Sequence, residues 1–295
     1  MDLRQLEVFI SVVKFGNFST AAKELFLTQP TVSSHIDSLE KELGVKLFER
    51  RSRKAVLTQA GKIFYPYAID ILRLKQKGIE SIGRFKTTIQ GKINIAASST
   101  PGIYLLPFLI KPFMKLYPRV RFDVSISNTA DVINKIIDYK ADLGFVGSVY
   151  KDRQLEYIPV FEDEMVVITP PGYRTFKGCV GEISFEEIAE EKFIVRGKGS
   201  ATRKVFENAL KKNNRKMDEL NIILEIDSVE GVKNFVEEGF GISVLPRICI
   251  KQEDNMDVFC LKDLNLKRRF YVVVHKNRVL TPAIEKLIAI LRREK

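Results

Sequence analysis

Over the first 45 residues, apolar side chains recur every three or four positions in three short runs. These are Leu3, Leu6, Phe9, Ile10 and Val13; then Phe18, Ala21, Ala22 and Leu25; then Val32, Ile36, Leu39 and Leu43. That spacing gives each run one apolar helix face, and three short helices of this kind bury those faces by packing on one another. The punctuation agrees. Gly16 suits the end of the first helix, Ser19 can cap the second, Thr28 can cap the third with Pro30 in its first turn, and Gly44 can stop it. The segment KLFERRSRKAVL, residues 46–57, fits two short strands around the basic turn Arg50-Arg51-Ser52-Arg53-Lys54, a wing on the three-helix unit.

A second helical stripe runs from Thr58 to about Ile89 through Ala60, Ile63, Phe64, Tyr67, Ala68, Ile71, Leu72, Ile79 and Ile82. At 1.5 Å per residue such a helix reaches roughly 45 Å, and so long a stripe tethered to a small domain predicts a partner helix, hence a dimer. Pro66 removes an interior hydrogen bond and predicts a bend. From Gly91 the pattern changes to strands alternating with helices. KINIAAS, VRFDVSI and ADLGFVG form one set with helices over 101–116 and 129–139; DEMVVIT, KFIVR, NIILEI and GISVLP form a second with helices near 185–189, 201–212 and 229–238. This order predicts parallel sheets in two lobes, with RFYVVVHK and the helix 282–292 returning to complete the first. The expected boundaries are a winged helix-turn-helix over 1–58, a linker helix over 59–90 and a two-lobed α/β domain over 91–295. Lobe I takes 91–161 and 267–295, lobe II 162–266.

Composition narrows the function. The 295 residues carry a net charge of +11, and residues 1–90 hold 15 Lys and Arg against 9 Asp and Glu, while the other 205 hold 33 against 28. Positive density is therefore highest at the N-terminus, where an anionic partner is expected. No apolar run approaches the roughly 18 residues of a membrane span. The start, MDLRQLEVFISVV, lacks a basic leader, so the chain is expected to stay in the cytoplasm. Cys179, Cys249 and Cys260 are odd in number and widely spaced, which argues for buried free thiols rather than disulfides or zinc. The only histidines, His35 and His275, have no nucleophile or metal-ligand partner nearby in sequence, and no phosphate-binding or dinucleotide motif occurs, so no enzyme and no cofactor are expected.

The stretch LRQLEVFISVVKFGNFSTAAKELFLTQPTVSSHIDSLEKELGVKLFERRSRKAVLTQAG resembles the signature of the LysR-type transcriptional regulators over nearly all of the first 61 residues. The rest is similar to that family in layout, a linker helix followed by a periplasmic-binding-protein-like effector domain. In the third helix the apolar face packs inward, which leaves Gln29, Thr31, Ser33, Ser34 and His35 for the major groove. Gln29 can read adenine through two hydrogen bonds, and Ser33 and Ser34 can reach phosphate or base edges. Family members often carry a larger basic or amide residue at the position of Ser34, so the base preference stays open. Arg50 and Arg53 match family positions and are expected to hold backbone phosphate beside the wing.

In the second region, Ser98-Ser99-Thr100 ends the first strand and precedes Pro101 at a helix start, while Arg196-Gly197-Lys198-Gly199-Ser200-Ala201-Thr202-Arg203 joins a strand to a helix in lobe II. Both place hydroxyls, backbone N–H groups or cations at a helix N-terminus, where anions bind. If the lobes face one another, the two segments share a cleft. The Gly-Ser-x-Thr-Arg stretch resembles one in family members that respond to sulfur or carbon metabolites. That resemblance implies effector contacts from Ser98, Ser99, Thr100, Ser200 and Thr202, with Gly147 allowing close backbone approach. Thr129 is an alternative contact or a helix cap, and Arg196 a contact or a salt-bridge partner. The expected function is promoter binding on double-stranded DNA, controlled by a small anionic effector and read out by RNA polymerase, from a homodimer or homotetramer. Sulfur metabolites come first as effectors. The rivals are a constitutive DNA-binding regulator with a vestigial cleft, an exported solute-binding protein, which leaves the first 90 residues unexplained, and an enzyme on a two-lobed domain.

Overall fold

The computed structural model describes residues 1–49, 55–83, 89–173, 176 and 181–292. They form two compact units, Met1–Ile89 with Asn277–Glu285, and Gln90–Lys276 with Lys286–Lys295.

The first unit opens with α1 (Leu3–Phe15), α2 (Phe18–Glu24) and α3 (Gln29–Leu43). Asp2 and Gln5 close a reciprocal capping box on α1, and Thr28 caps α3 with proline in its first turn, as the sequence predicts. At α2 the cap is Asn17 rather than Ser19: its side chain accepts from the N–H groups of Ser19 and Thr20. Leu6, Phe9, Val12, Ala21, Ala22, Val32, Ile36 and Leu39 are buried together with Leu47 and Phe48. The fully buried Leu and Phe side chains among them stabilise the unit by about 1.5–3 kcal/mol each. The carboxylate of Glu40 is buried and accepts from the N–H of Leu47 (2.8 Å) and of Phe48 (3.3 Å), which fixes the path of the chain leaving α3. Phe48 then bridges Leu57 in antiparallel fashion, with Glu49 N–H donating to the Val56 carbonyl at 2.8 Å. This is the base of the expected wing; Arg50 and Arg53 lie outside the described residues.

Helix α4 (Gln59–Gly83) runs unbroken across Pro66, and the last part of the expected linker, 84–88, lies outside the described residues. A Cβ at position 61 would meet the Leu47 carbonyl oxygen at 2.2 Å, so Gly61 is what lets α4 start against that segment. The long apolar stripe divides in two. Phe64, Ala68, Ile71 and Leu72 pack on the three-helix core, while Ile63, Tyr67, Leu74 and Ile79 are exposed.

The second unit contains β1 (Gly91–Ser98), α5 (Leu106–Leu116), β2 (Val120–Ser127), α6 (Thr129–Ile137), β3 (Leu143–Val146), β4 (Leu155–Thr169), β5 (Glu182–Ile183) and α7 (Phe185–Ala189). It continues with β6 (Lys192–Arg196), α8 (Ala201–Lys212), β7 (Asn221–Ile226), α9 (Val229–Glu237), β8 (Ile242–Pro246), β9 (Asp257–Leu261), β10 (Lys267–His275) and α10 (Pro282–Leu291). The main strand order is β2-β1-β3-β10-β4-β8-β6-β7, with β9 joining β4 and β5. Strands β1–β3 pair in parallel, as do β6–β8, which matches the two predicted βαβ sets. Two strands tie the sets together. The first half of β4 pairs antiparallel with β10, and its second half pairs with β8 and β9, so one continuous strand passes from lobe I to lobe II. Strand β10 then returns between β3 and β4, the completion of lobe I that the sequence suggested.

Two local features differ from the sequence reading. The helix expected over 101–116 begins as a π-helical turn over Pro101–Leu105 before α5. Strand β4 begins at Leu155, well before DEMVVIT, and β5 and β9 were not expected.

Candidate DNA-reading helix and effector cavity

Helix α3 presents a polar end. Thr28, Gln29, Pro30 and Ser34 are exposed, while Thr31, Ser33 and His35 are half-buried. The hydroxyls of Thr28 and Thr31 hydrogen-bond each other at 2.8 Å, and the Gln29 amide donates to Ser33 Oγ at 3.0 Å, one turn on. Val32, Ile36 and Leu39 hold the opposite face in the core. The helix is thus anchored on its apolar side, with short hydroxyl and amide groups free to approach a groove.

In the two-lobed unit, the C-terminal ends of parallel strands converge on a cavity of about 370 Å³, the place where open α/β sheets bind ligands. Lobe I contributes Ser98, Ser99, Thr100 and Thr129; lobe II contributes Arg196, Ser200 and Thr202. The two segments singled out in the sequence therefore line one cavity. Their local roles are mixed. Ser200 Oγ caps α8 by accepting from Thr202 N–H, whereas α6 is capped by Asn128, leaving Thr129 buried in the first turn without that role.

Gly147 is not a lining residue. A Cβ there would stand 2.1 Å from Arg268 Nη2, so its missing side chain makes room for this arginine rather than for a ligand.

Arg268 is the functional residue that the sequence reading missed. It lies on β10, is 4% exposed, and lines the cavity. Nη1 donates to Thr202 Oγ1 at 3.1 Å, the guanidinium stacks 4.3 Å over the Phe270 ring, and Nε and Nη2 are buried without a hydrogen-bond partner. Burial pushes its pKa down to about 10, with nearby Arg196 adding to the effect against the opposing influence of Cys249 and Asp163. Arg196, 6% exposed, donates from Nη2 to the Asp227 carbonyl at 2.6 Å, and its Nε and Nη1 are likewise unpartnered. Burial lowers its pKa as well. Arg203 differs: it pairs with Glu225 at 2.6 Å and Glu207 at 2.8 Å and does not line the cavity.

A signal for Arg268 was present. Along β10 the buried positions alternate through 268, 270, 272 and 274, which puts an arginine in the inward row of an otherwise apolar strand. Asn128 and Asp227, also lining residues, could have been found by asking which polar residues directly follow parallel strands. Neither thiol belongs to the cavity. Cys249 is buried, which pushes its thiol up to about 12, and Cys260 is half-buried; Cys179 lies outside the described residues. Among the described residues no helix is long and apolar enough to cross a membrane.

A helix-turn-helix with an exposed polar reading helix, and a two-lobed unit with a hydroxyl- and guanidinium-lined cavity, together define a DNA-binding regulator with a ligand-binding domain. The family model for the bacterial regulatory helix-turn-helix protein, lysR family, matches residues 3–62, and that for the LysR substrate binding domain matches 86–295. The chain belongs to the LysR family and is a DNA-binding transcriptional regulator, not an enzyme. It is 34% identical to the HTH-type transcriptional regulator CysL of Bacillus subtilis, covering 90% of this chain and 88% of that one. Full-length OxyR from Pseudomonas aeruginosa shares the fold with a TM-score of 0.77 at 22% identity, covering 99% of this chain and 98% of that one. Full-length CbnR in complex with its target DNA does so with a TM-score of 0.64 at 21% identity over 100% of both chains.

Proposed function

We propose that the cavity binds a small anionic metabolite and that its occupation alters the regulator's complex with promoter DNA, and so the access of RNA polymerase. One observation carries this reading: two buried guanidiniums line the cavity with N–H groups that no protein atom accepts. Leaving such donors unsatisfied costs folding free energy, and a carboxylate or other oxyanion with two acceptor oxygens relieves it. The cavity hydroxyls, from Ser98, Ser99, Thr100, Thr129, Ser200 and Thr202, then set orientation and specificity. A dead cleft gains nothing from keeping two unsatisfied arginines, which disfavours a constitutive regulator. The resemblance of the Gly-Ser-x-Thr-Arg stretch puts sulfur metabolites first among anions, with carboxylates of central carbon metabolism next. In this reading the protein works in the cytoplasm, needs no cofactor, and assembles as a homodimer or homotetramer in which α4 buries its exposed Ile63, Tyr67, Leu74 and Ile79.

The test combines calorimetry and DNA binding at fixed salt, using sulfate, O-acetylserine and a series of mono- and dicarboxylates. One anion is expected to bind the wild type, to fail on Thr100→Val with Thr202→Val, and to change affinity or bending on the protein's own upstream promoter. DNA binding indifferent to every anion that occupies the cavity would overturn the regulatory reading. No binding by any anion would overturn the site.

A further inference from the structure

The turn between α2 and α3 contains a residue whose conformation and exposure are both unfavourable. Phe26 has φ +55° and is 96% exposed. The hydrogen bonds identify its place: Leu27 N–H reaches back to the Ala22 carbonyl (2.9 Å) and Phe26 N–H to that of Lys23 (3.2 Å). This is a Schellman ending for α2 with Phe26 at the left-handed position, where glycine is the favoured residue because a Cβ is strained there. Two other non-glycine residues among those described share that conformation. Asn214 is of a type that tolerates it, and Tyr139 sets its ring 4.7 Å from His275. Phe26 buries almost nothing. In the free protein its ring gains no packing to offset the strain, and such strain is retained where function uses it.

Its neighbours indicate the partner. Phe26 is followed by the exposed Thr28, Gln29 and Pro30 at the N-terminal end of α3, the end that enters the major groove in helix-turn-helix proteins. Cations flank it: Lys23 is exposed, and the half-buried Arg4 donates to the Leu25 carbonyl at 3.2 Å. An apolar ring between basic groups and a hydroxyl-rich helix end matches the groove wall of a duplex, where phosphate surrounds a single apolar feature, the thymine methyl. We infer that Phe26 is a DNA-contact residue that packs its ring on a thymine methyl next to the bases reached by α3, and so contributes to sequence choice.

The experiment uses the full chain and a duplex enriched from random sequence by the wild-type protein, with a scrambled duplex of equal length as control. Phe26→Gly is expected to melt at a higher temperature than the wild type yet bind the enriched duplex at least tenfold more weakly, with an unchanged salt slope because no charge is lost. Phe26→Tyr should keep affinity within about threefold. Replacing thymidine by deoxyuridine one position at a time should reveal a site where losing the methyl weakens the wild type but not Phe26→Gly. Undiminished binding by Phe26→Gly overturns the contact, including the case where binding is normal but transcription fails, which would assign the ring to RNA polymerase. A loss uncoupled from every thymine overturns the methyl reading.

Discussion

At the scale of single residues, Arg268 and Arg196 separate stability from function. Each is buried without a carboxylate within ion-pair distance among the described residues, and an apolar side chain of similar volume commonly stabilises a site that holds an uncompensated charge. Arg268→Met is therefore expected to raise the stability of the ligand-free protein by roughly 1–3 kcal/mol in chemical denaturation, while abolishing stabilisation by the effector. Lower stability together with a retained effector response would reject this role. Gln29 offers a parallel test at the DNA. Its amide is held by Ser33 in the free protein, so turning to an adenine exchanges one hydrogen bond for two. Gln29→Ala should weaken binding to the enriched duplex by about 1–3 kcal/mol and leave scrambled DNA nearly unaffected in gel-shift titrations. Equal losses on both would remove Gln29 from base reading.

At the scale of elements, α4 carries two faces with separate tasks. Phe64, Ala68, Ile71 and Leu72 belong to the core of the first unit, whereas Ile63, Tyr67, Leu74 and Ile79 touch nothing in the chain that would explain their apolar character. Tyr67→Asp with Leu74→Asp should dissociate the oligomer in sedimentation experiments while leaving the helical circular dichroism of the chain intact. An unchanged sedimentation coefficient would move the interface elsewhere. A second elemental device follows the cavity. Tyr104, in the π-helical turn just after Ser98-Ser99-Thr100, donates its hydroxyl to Glu230 at the start of α9 and is buried among lobe II residues such as Val166 and Leu245. Burial, with Glu230 next, pushes this phenol well above its ordinary value, so it remains a donor throughout the physiological range. Tyr104→Phe should preserve effector affinity within a few-fold yet weaken the effect of the effector on DNA binding; an unaltered response would show that this contact between lobes plays no part in coupling.

The elements that the sequence disclosed were those with local causes. Apolar spacing marked α1–α4, and Thr28 with Pro30 marked the start of α3, because capping and periodicity act over a few residues. Ser98 and Ser200 were legible for the same reason. Long-range causes were hidden. The first half of β4, interrupted in pattern by Pro159, is a strand because β10 pairs with it from more than a hundred residues away. Gly147 seemed a place for ligand because the approach of Arg268, from the far end of the chain, is a tertiary fact. Asn17 displaced Ser19 because either fits a cap by type, and only the backbone path selects one.

At the scale of the whole molecule, effector binding and protonation are linked. Arg268 is a base whose folded-state pKa falls from 12.5 to about 10, so the folded protein releases that proton before the unfolded chain does. Without effector, this group adds stability as pH rises from about 10 toward 12.5. The effector contribution has the opposite sign, since an anion needs the charged guanidinium: it is complete well below pH 10 and is lost as pH rises through that value. The effector-induced rise in melting temperature should thus be level from pH 6 to 8 and shrink by pH 10. A rise that persists undiminished at pH 10 would place the anion away from Arg268.

Strand β10 also sets an order of assembly. It lies in the middle of the lobe I sheet, between β3 and β4, yet it is made after all of lobe II. A nascent chain can form the helix-turn-helix early, from neighbours in sequence, whereas lobe I waits with an open gap until residues 267–275 leave the ribosome. Arg268 arrives with that same strand. The cell therefore makes the part that touches the gene first and the part that listens last, and a message cut short before β10 yields a chain whose sensing half has neither its central strand nor its hinge arginine.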